Sequence, residues 1–265
     1  MTVSALRIAA VVALLTASAA ASSATARSLE QIRAIGAIGV CAHPNSLPFS
    51  SKKDNPPGFQ IELGRALAQQ LGVGMVADWV VPPIQIRRAD CDLVLDVIVD
   101  AQSQSEQRLV MSRPYYHGGV GLAVPAGSAV TSFASLDNHT KVGVQAGLLT
   151  AMILGQRHVG LSNFAFEDKM LQAVADREID AAAVTALAAG YYNSAHPDHA
   201  LTILPPDDAE QRLEWNVAVG MCKPDTALRS AVDGALERLS ADGSIARIYA
   251  RYGITLEQTK APPAP

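Results

Sequence analysis

Two carboxylates lie close together in an apolar, β-branched stretch of the chain. Asp96 and Asp100 occur in the sequence DLVLDVIVD, and His117 follows two tyrosines in RPYYHGG. Ligands of open α/β sheets bind beyond the carboxyl ends of strands, and these carboxylates fall there if the stretch is a strand. They would suit a cationic or polyhydroxy ligand, or serve only as solvated helix caps. With His117 they are also candidates for acid–base catalysis, but they form no complete catalytic set.

Three cysteines allow at most one disulfide bridge. Cys41, Cys91 and Cys222 leave one thiol over, whichever pair forms. The sequence contains no CxxC, no HExxH and no Cys/His zinc pattern, and His196 and His199 fit a solvated loop better than a metal site. We therefore predict no metal and no cofactor.

The overall composition is that of an ordinary globular protein. The chain has 265 residues, 49% of them hydrophobic, and a formal net charge of −4. Nucleic-acid binding needs a basic face for phosphate, and this sequence provides none. Nucleic acid is therefore not an expected partner.

The first 26 residues have the features of a secretory signal peptide. Arg7 precedes an apolar run over residues 8–15, and Ala- and Ser-rich sequence follows as far as Ala24-Thr25-Ala26. The strongly apolar part is shorter than the roughly 20 residues that a membrane span requires. We expect cleavage after Ala26 and export to a compartment where disulfides persist.

Short apolar runs alternate with helical patterns along the rest of the chain. The predicted strands cover residues 38–42, 75–80, 92–99, 120–124, 141–145, 180–184, 201–204 and 216–221. Helix signals include the Ser28/Gln31 capping box and the stripe formed by Phe59, Leu63 and Leu67. Such alternation predicts an α/β protein with parallel sheets.

Seven segments in a fixed order resemble a known family. They are SLEQIRAIGAIGVCAHPNSLPFS, GFQIELGRALAQQLG, CDLVL, RLVMSRPYY, SLDNHTKVGVQAG, LQAVADREIDAAAV and DGSIARIYARYGI. Their order is similar to that of the bacterial extracellular solute-binding proteins of family 3, the type II periplasmic binding proteins of ABC importers. CAHPNSLPFS, CDLVL, RPYYHGG and AAGYY resemble, more loosely, a subgroup associated with quinoprotein alcohol dehydrogenases such as methanol dehydrogenase.

The resemblance implies two α/β lobes, each a mostly parallel sheet flanked by helices, joined by two crossover strands. Lobe 1 would comprise residues 27–119 and 222–258, and lobe 2 residues 120–221. Residues 1–26 would be the signal peptide, and residues 259–265 a disordered tail. A ligand would bind between the lobes.

Lobe 1 would contribute an aromatic, an arginine and the carboxylates to that site. In relatives, the aromatic that follows Leu-Pro, here Phe49, stacks on the ligand; a hydrophobic plug under the loop is the alternative. Arg108 lies where relatives grip a ligand carboxylate through two parallel hydrogen bonds. Asp96 and Asp100 would face the cleft from their strand end.

Lobe 2 would contribute Gln145, Gly147 and Thr150, which follow the strand KVGVQ at the point where relatives hold an anion with backbone N–H groups. Thr185 occupies the position of an aspartate that pairs with the α-ammonium group in the amino-acid binders. A buried ammonium without a counter-charge is strongly disfavoured, so we expect a ligand other than a standard α-amino acid. The subgroup resemblance also makes Cys41 and Cys91 the disulfide candidates.

The predicted function is capture of a small polar molecule in the periplasm for ABC-type uptake, by a monomer without catalytic activity. Its partners would be the ligand and an ABC transporter permease. One alternative is an accessory protein of a quinoprotein dehydrogenase. A less favoured alternative is a dehydratase-like enzyme on the same fold, with Asp96, Asp100 and His117 as its acid–base candidates.

Overall fold

The computed structural model describes residues 27–81, 89, 91–99, 109–207 and 212–256. The predicted signal peptide and C-terminal tail lie outside the described residues. Across the described segments, strands and helices alternate as the sequence predicts. None of the helices in these segments is long and apolar enough to cross a bilayer.

The helices in the described part of the chain are α1 (Leu29–Ile35), α2 (Phe59–Leu71), α3 (Leu149–Gln156), α4 (Glu167–Ala175), α5 (Ala186–Ala195), α6 (Thr226–Ala241) and α7 (Ser244–Ala250). The strands there are β1 (Ala37–Ala42), β2 (Asn45–Ser46), β3 (Ser50–Ser51), β4 (Gly74–Trp79), β5 (Leu93–Ile98), β6 (Leu109–Met111), β7 (Tyr116–Val124), β8 (Lys141–Gln145), β9 (Gly160–Phe164), β10 (Ala181–Thr185), β11 (Thr202–Leu204) and β12 (Glu214–Cys222).

Two sets of parallel strands are joined by a central antiparallel pair. The strand order is β4-β1-β5-β12-β7-β10-β8-β9, with β6 paired to β12 and β11 paired to β7. β1 pairs in parallel with β4 and β5, and β8 pairs in parallel with β9 and β10. β7 and β12 run antiparallel to each other between the two sets. This is the mixed α/β, two-lobed fold that the sequence predicts.

Each set of parallel strands has its own hydrophobic core. The first core packs α1, α2, α6 and α7 against β1, β5 and β12, and it includes Phe59, Val219 and Tyr249. The second set is covered by two clusters, one containing Leu122 and Val144 and the other containing Met170 and Val184. Separate cores of this kind are what independently stable units require.

The pairing of the two long strands indicates where the chain passes between the lobes. The first half of β7 pairs with β12, and residues from Val120 onward pair with β10. β12 pairs with β5 from Val217 onward, and Val219 and Met221 pack in the first core. We therefore propose that lobe 2 begins near residue 120 and ends near Leu213, earlier than the boundary at 221 predicted from the sequence.

The start of the described chain is fastened to the first sheet. Arg27 donates two hydrogen bonds to Asp92, from Nε to Oδ1 at 2.9 Å and from Nη2 to Oδ2 at 2.5 Å. The same Asp92 Oδ2 accepts from the backbone N–H of Gly39 at 2.7 Å. Next to this ion pair, Cys41 and Cys91 form a disulfide with a Cα–Cα distance of 5.5 Å, and Cys222 is not disulfide-bonded. These links join β1 to the segment that leads into β5.

Candidate functional site

A cavity of about 390 Å³ lies where the two sheets meet the central strand pair. Its walls come from the first lobe, from both long strands, from the second lobe and from the segment that follows α7. The described lining residues are Phe49, Asp96, Ile98, Tyr116, His117, Gly118, Gly119, Val120, Gly121, Thr185, Ala186, Leu187, Ile203, Pro205, Pro206, Glu214, Trp215, Val217, Thr255 and Leu256. The size is that of a site for a small molecule.

Phe49 lies in the proline-rich loop and lines this cavity. The backbone N–H groups of Phe59 and Gln60 donate to the carbonyls of Pro48 and Phe49, both at 2.9 Å, and so attach the loop to the start of α2. The Phe49 ring lies 5.2 Å from the ring of Phe59 and packs against the first core. Half-buried, Phe49 packs on the core as a plug would and is also part of the cavity wall; its stacking on a ligand stays a prediction.

Close packing around Gly58 positions this loop. Gly58 has φ +94°, and a Cβ there would lie 2.4 Å from the carbonyl oxygen of Phe49. Its N–H donates to the hydroxyl of Tyr252 at 2.9 Å. Only glycine combines this backbone conformation with such a close approach.

Asp96 sits on a β-bulge. Val97 pairs with Ala218 and Val94 pairs with Gly220, so β5 places two residues opposite one of β12. Asp96, within the bulge, has φ +55°, a left-handed conformation that aspartate tolerates better than most residues. Bulges redirect side chains and occur often beside functional sites. Here the bulge accompanies an aspartate that lines the cavity.

One oxygen of the Asp96 carboxylate is fully engaged and the other is not. Oδ1 accepts from the hydroxyl of Tyr115 at 2.6 Å and from that of Tyr249 at 2.8 Å, whereas Oδ2 is buried without a hydrogen-bond partner. Burial raises the pKa of Asp96, and the tyrosine hydrogen bonds partly oppose that rise. Burial also raises the pKa of both tyrosines well above its ordinary value, so their hydroxyls remain donors.

A histidine and a glutamate face each other across the two long strands. His117 lies on β7 and is 7% exposed, and its Nδ1 is 3.1 Å from Oδ1 of Asn216 on β12. Its Nε2 has no hydrogen-bond partner and lies 3.8 Å from Oε2 of Glu214. Both residues line the cavity. The strand pairing therefore brings an imidazole and a carboxylate together at its edge.

Thr185 lines the cavity but its hydroxyl is occupied. As the N-cap of α5, Oγ1 accepts from the N–H of Ala188 at 3.2 Å. The same hydroxyl donates to Glu167 Oε2 at 3.1 Å, and the Thr185 N–H donates to Glu167 Oε1 at 2.5 Å. Burial raises the pKa of Glu167. Thr185 thus ties α4 to α5, and Glu167 does not line the cavity.

The structure brings together only some of the residues predicted for the site. Phe49, Asp96 and Thr185 line the cavity. Gln145, Gly147 and Thr150 are not among its lining residues: the Gln145 amide donates to the carbonyl of Ala165 at 3.0 Å, and Thr150 is buried. Asp100 and Arg108 lie outside the described residues.

Sequence reasoning did not identify Glu214 and Trp215 as site residues. The predicted strand began at residue 216, which left these two in an apparent loop, whereas β12 begins at Glu214. The alternation of polar and apolar residues in EWNVAV was the available signal. No cluster of three or more His, Cys, Asp or Glu residues suited to a metal ion occurs in the part of the chain that the structure describes.

The model of the bacterial extracellular solute-binding proteins, family 3, matches residues 38–255. The chain belongs to this family. The matched segment contains every described lining residue of the cavity except Leu256. The matched segment thus includes parts of both lobes, both long strands and the cavity between them.

Two curated proteins illustrate how far the likeness in sequence extends. A membrane-bound lytic murein transglycosylase F of Desulfosudis oleivorans is 25% identical over 242 residues, 85% of this chain and 50% of that protein. A probable histidine-binding protein of Neisseria gonorrhoeae is 24% identical over 225 residues, 80% of this chain and 81% of that protein. The chain therefore spans only half the length of the transglycosylase that it resembles.

The solved structure of an ancestral cationic amino acid solute-binding protein is similar in fold. It superposes with a TM-score of 0.73 at 21% identity and covers 85% of this chain and 99% of the other. At this identity the likeness concerns the fold alone.

Proposed function

We propose that this protein is a periplasmic solute-binding protein that captures a small polar molecule between its lobes for an ABC importer. The observation that carries the proposal is the cavity, which is lined from both lobes and from both long strands. A ligand that touches both lobes stabilises the closed arrangement, and an importer can recognise that shape. Under this proposal the protein binds its ligand without converting it.

The ligand that we propose is not a standard α-amino acid. The Neisseria relative is named as a histidine-binding protein, and the ancestral structure as a binder of cationic amino acids. In this chain Thr185 stands at the position where the amino-acid binders have an aspartate. Its hydroxyl is engaged by Glu167 and by the N-terminus of α5. An incoming α-ammonium group would have no carboxylate from residue 185.

A ligand screen with a cavity-blocking variant tests the binding function. Thermal unfolding is measured with amino acids, organic acids, polyols and amines, because a ligand of the folded state raises the melting temperature. Ala186 is exposed on the cavity wall at the start of α5, and Ala195 is exposed at the other end of the same helix. Ala186→Trp is expected to abolish any ligand response, and Ala195→Trp to retain it. A screen without any response, or a response that survives Ala186→Trp, would contradict the proposal.

Export is part of the same proposal. The exported chain would begin at Arg27, which is also the first residue that the structure describes and which contacts Asp92. Mass spectrometry of protein recovered from the periplasm measures this directly. A chain that retains residues 1–26 or stays in the cytoplasm would argue against a periplasmic role.

Exposed apolar side chains favour a second candidate, an accessory role with a quinoprotein dehydrogenase. Leu148 and Met152 follow β8, Phe166 follows the neighbouring β9, and each is at least half exposed. Because β8 and β9 are parallel neighbours, these side chains follow the same end of the sheet, and contiguous exposed apolar patches mark protein contacts. Under this alternative, Leu148→Ser with Met152→Ser would weaken dehydrogenase binding in a pull-down and leave small-molecule binding unchanged. Unaltered capture of the dehydrogenase would exclude this surface.

A further inference from the structure

The charged lining of the cavity is one-sided. Asp96 and Glu214 contribute carboxylates, and no lysine or arginine occurs among the lining residues that the structure describes. The remaining walls are mostly apolar, so a charge inside the cavity is poorly solvated and interacts strongly with these acids. The lining therefore favours a cation over an anion.

His117 provides a second, independent indication of a ligand. Its side chain is more than nine-tenths buried, and Nε2 has no hydrogen-bond partner although it lies at the cavity. If the oxygen of Asn216 accepts from Nδ1–H, the neutral imidazole presents the lone pair of Nε2. Buried polar atoms of this kind are normally satisfied, so a donor is expected there when the site is filled.

The distance between His117 and Glu214 fits one ammonium nitrogen. Nε2 and Oε2 are 3.8 Å apart. A nitrogen about 2.9 Å from each can donate to both, since an ammonium group of a primary amine carries three N–H donors. A hydroxyl group has a single hydrogen and can satisfy only one of the two acceptors. The hydrogen bond from an ammonium group to the Glu214 carboxylate is also charge-assisted.

Asp96 disfavours a carboxylate on the same ligand. Its Oδ2 is buried and unpartnered, while Oδ1 is held by two tyrosine hydroxyls. A ligand carboxylate would be desolvated in a cavity that already contains two acidic side chains, which is unfavourable. Phe49, Tyr116 and Trp215 add aromatic groups to the lining, and aromatic faces attract organic cations.

We propose that the cavity binds a primary amine that carries no carboxylate, with its ammonium nitrogen between His117 Nε2 and the carboxylate of Glu214. This inference rests on the solute-binding function proposed above and names the ligand class. Asp96 supplies a second acidic side chain to the same site. The aromatic side chains contact the carbon skeleton.

Matched ligands test the amine class by isothermal titration. Putrescine is compared with ornithine, which adds a carboxylate, and with 1,4-butanediol, which lacks the charge. Agmatine is compared with arginine in the same way. We expect at least one of the two amines to bind at least about tenfold tighter than its parent amino acid, and the diol not to bind.

Substitutions of the cavity acids test the proposed contact between the ammonium group and Glu214. Glu214→Gln is expected to weaken amine binding at least about tenfold, whereas Glu237→Gln, at an exposed position of α6 that does not line the cavity, is expected to have no effect. Asp96→Asn reports on the second acidic side chain and provides an independent test if Glu214→Gln fails to fold. Amine binding that is unchanged in every folded variant would overturn the assignment.

The outcomes separate this inference from the proposed function. If an amino acid or the diol binds as tightly as the amines and Ala186→Trp abolishes that binding, the amine assignment is wrong and solute binding stands. If neither amine binds, the assignment is wrong as well. If the wider screen also finds no ligand, the solute-binding function fails with it.

Discussion

Thr185 gives both its backbone N–H and its hydroxyl to the carboxylate of Glu167, at 2.5 Å and 3.1 Å. This double contact fastens the N-terminus of α5 to the N-terminus of α4, at the wall of the cavity. Thr185 therefore has a structural role here. An acidic residue at position 185 would face an acid already present.

Thr185→Asp is expected to destabilise the protein without creating an amino-acid site. The substitution exchanges a hydrogen bond to Glu167 for carboxylate repulsion, which should lower the free energy of unfolding by about 1–3 kcal/mol. Thr185→Ser keeps the hydroxyl and should stay within about 0.5 kcal/mol of the parent. Urea unfolding and a glutamine titration measure both effects. Micromolar glutamine binding by Thr185→Asp would contradict this account.

Gly58→Ala tests the coupling between α2 and the Phe49 loop. Gly58 combines φ +94° with a Cβ position 2.4 Å from the Phe49 carbonyl oxygen, whereas Gly72 has φ +76° and no atom within 4 Å of its Cβ position. Gly58→Ala and the control Gly72→Ala each incur backbone strain of about 1–3 kcal/mol, but only Gly58→Ala must also displace the Phe49 loop. Denaturant unfolding should show a larger loss for Gly58→Ala, together with weaker ligand binding. Equal losses would show that the loop does not depend on this contact.

The buried carboxylate of Asp96 predicts a pH dependence. Its pKa is raised from 3.8 in the folded protein, so the protonated form is favoured by folding. The stability that this group contributes is present below its unfolded value and is lost as pH rises through the folded value. The free energy of unfolding of the ligand-free protein, minus that of Asp96→Asn, should therefore fall as the pH rises above about 3.9, the ordinary pKa of aspartate. A difference that stays flat or rises with pH would refute the prediction.

The disulfide between Cys41 and Cys91 should stabilise the first lobe. It closes a loop of 50 residues, for which the loop-closure relation gives about 4 kcal/mol. Cys91→Ser should lower the free energy of unfolding by up to that amount, and reduction of the parent should do the same. Cys222→Ser breaks no bridge and should leave the free energy of unfolding nearly unchanged. If reduction leaves the denaturation midpoint unchanged, the bridge does not stabilise the lobe.

Sequence patterns predicted the central strands and the amphipathic helices better than the strand at the sheet edge. The strands around Val40 and Val144 and the apolar stripe of α2 follow hydrophobic patterns that are visible in the local sequence. β9 was missed because GLSNF lies at the sheet edge and is only partly buried, so its sequence lacks the apolar run of a central strand. The parallel pairing of β8 with β9 supplies its register instead.

The candidate site was harder to predict because its parts meet through long-range pairing. The bulge at Asp96 depends on the register between β5 and β12, and His117 meets Glu214 only because β7 pairs with β12. Neither relationship leaves a local signature in the sequence. Thr185 was singled out from the family resemblance alone; it lines the cavity, and its role in ligand selection stays a prediction.

The most direct test of the account is the molecule that the protein carries when it is purified. Protein isolated from the periplasm without dialysis is denatured, and mass spectrometry identifies what is released from the parent and from Ala186→Trp. The account predicts one predominant small polar compound that is not a standard α-amino acid, recovered from the parent and absent from the variant. Recovery of an amino acid such as glutamine, or equal recovery from both proteins, would contradict it.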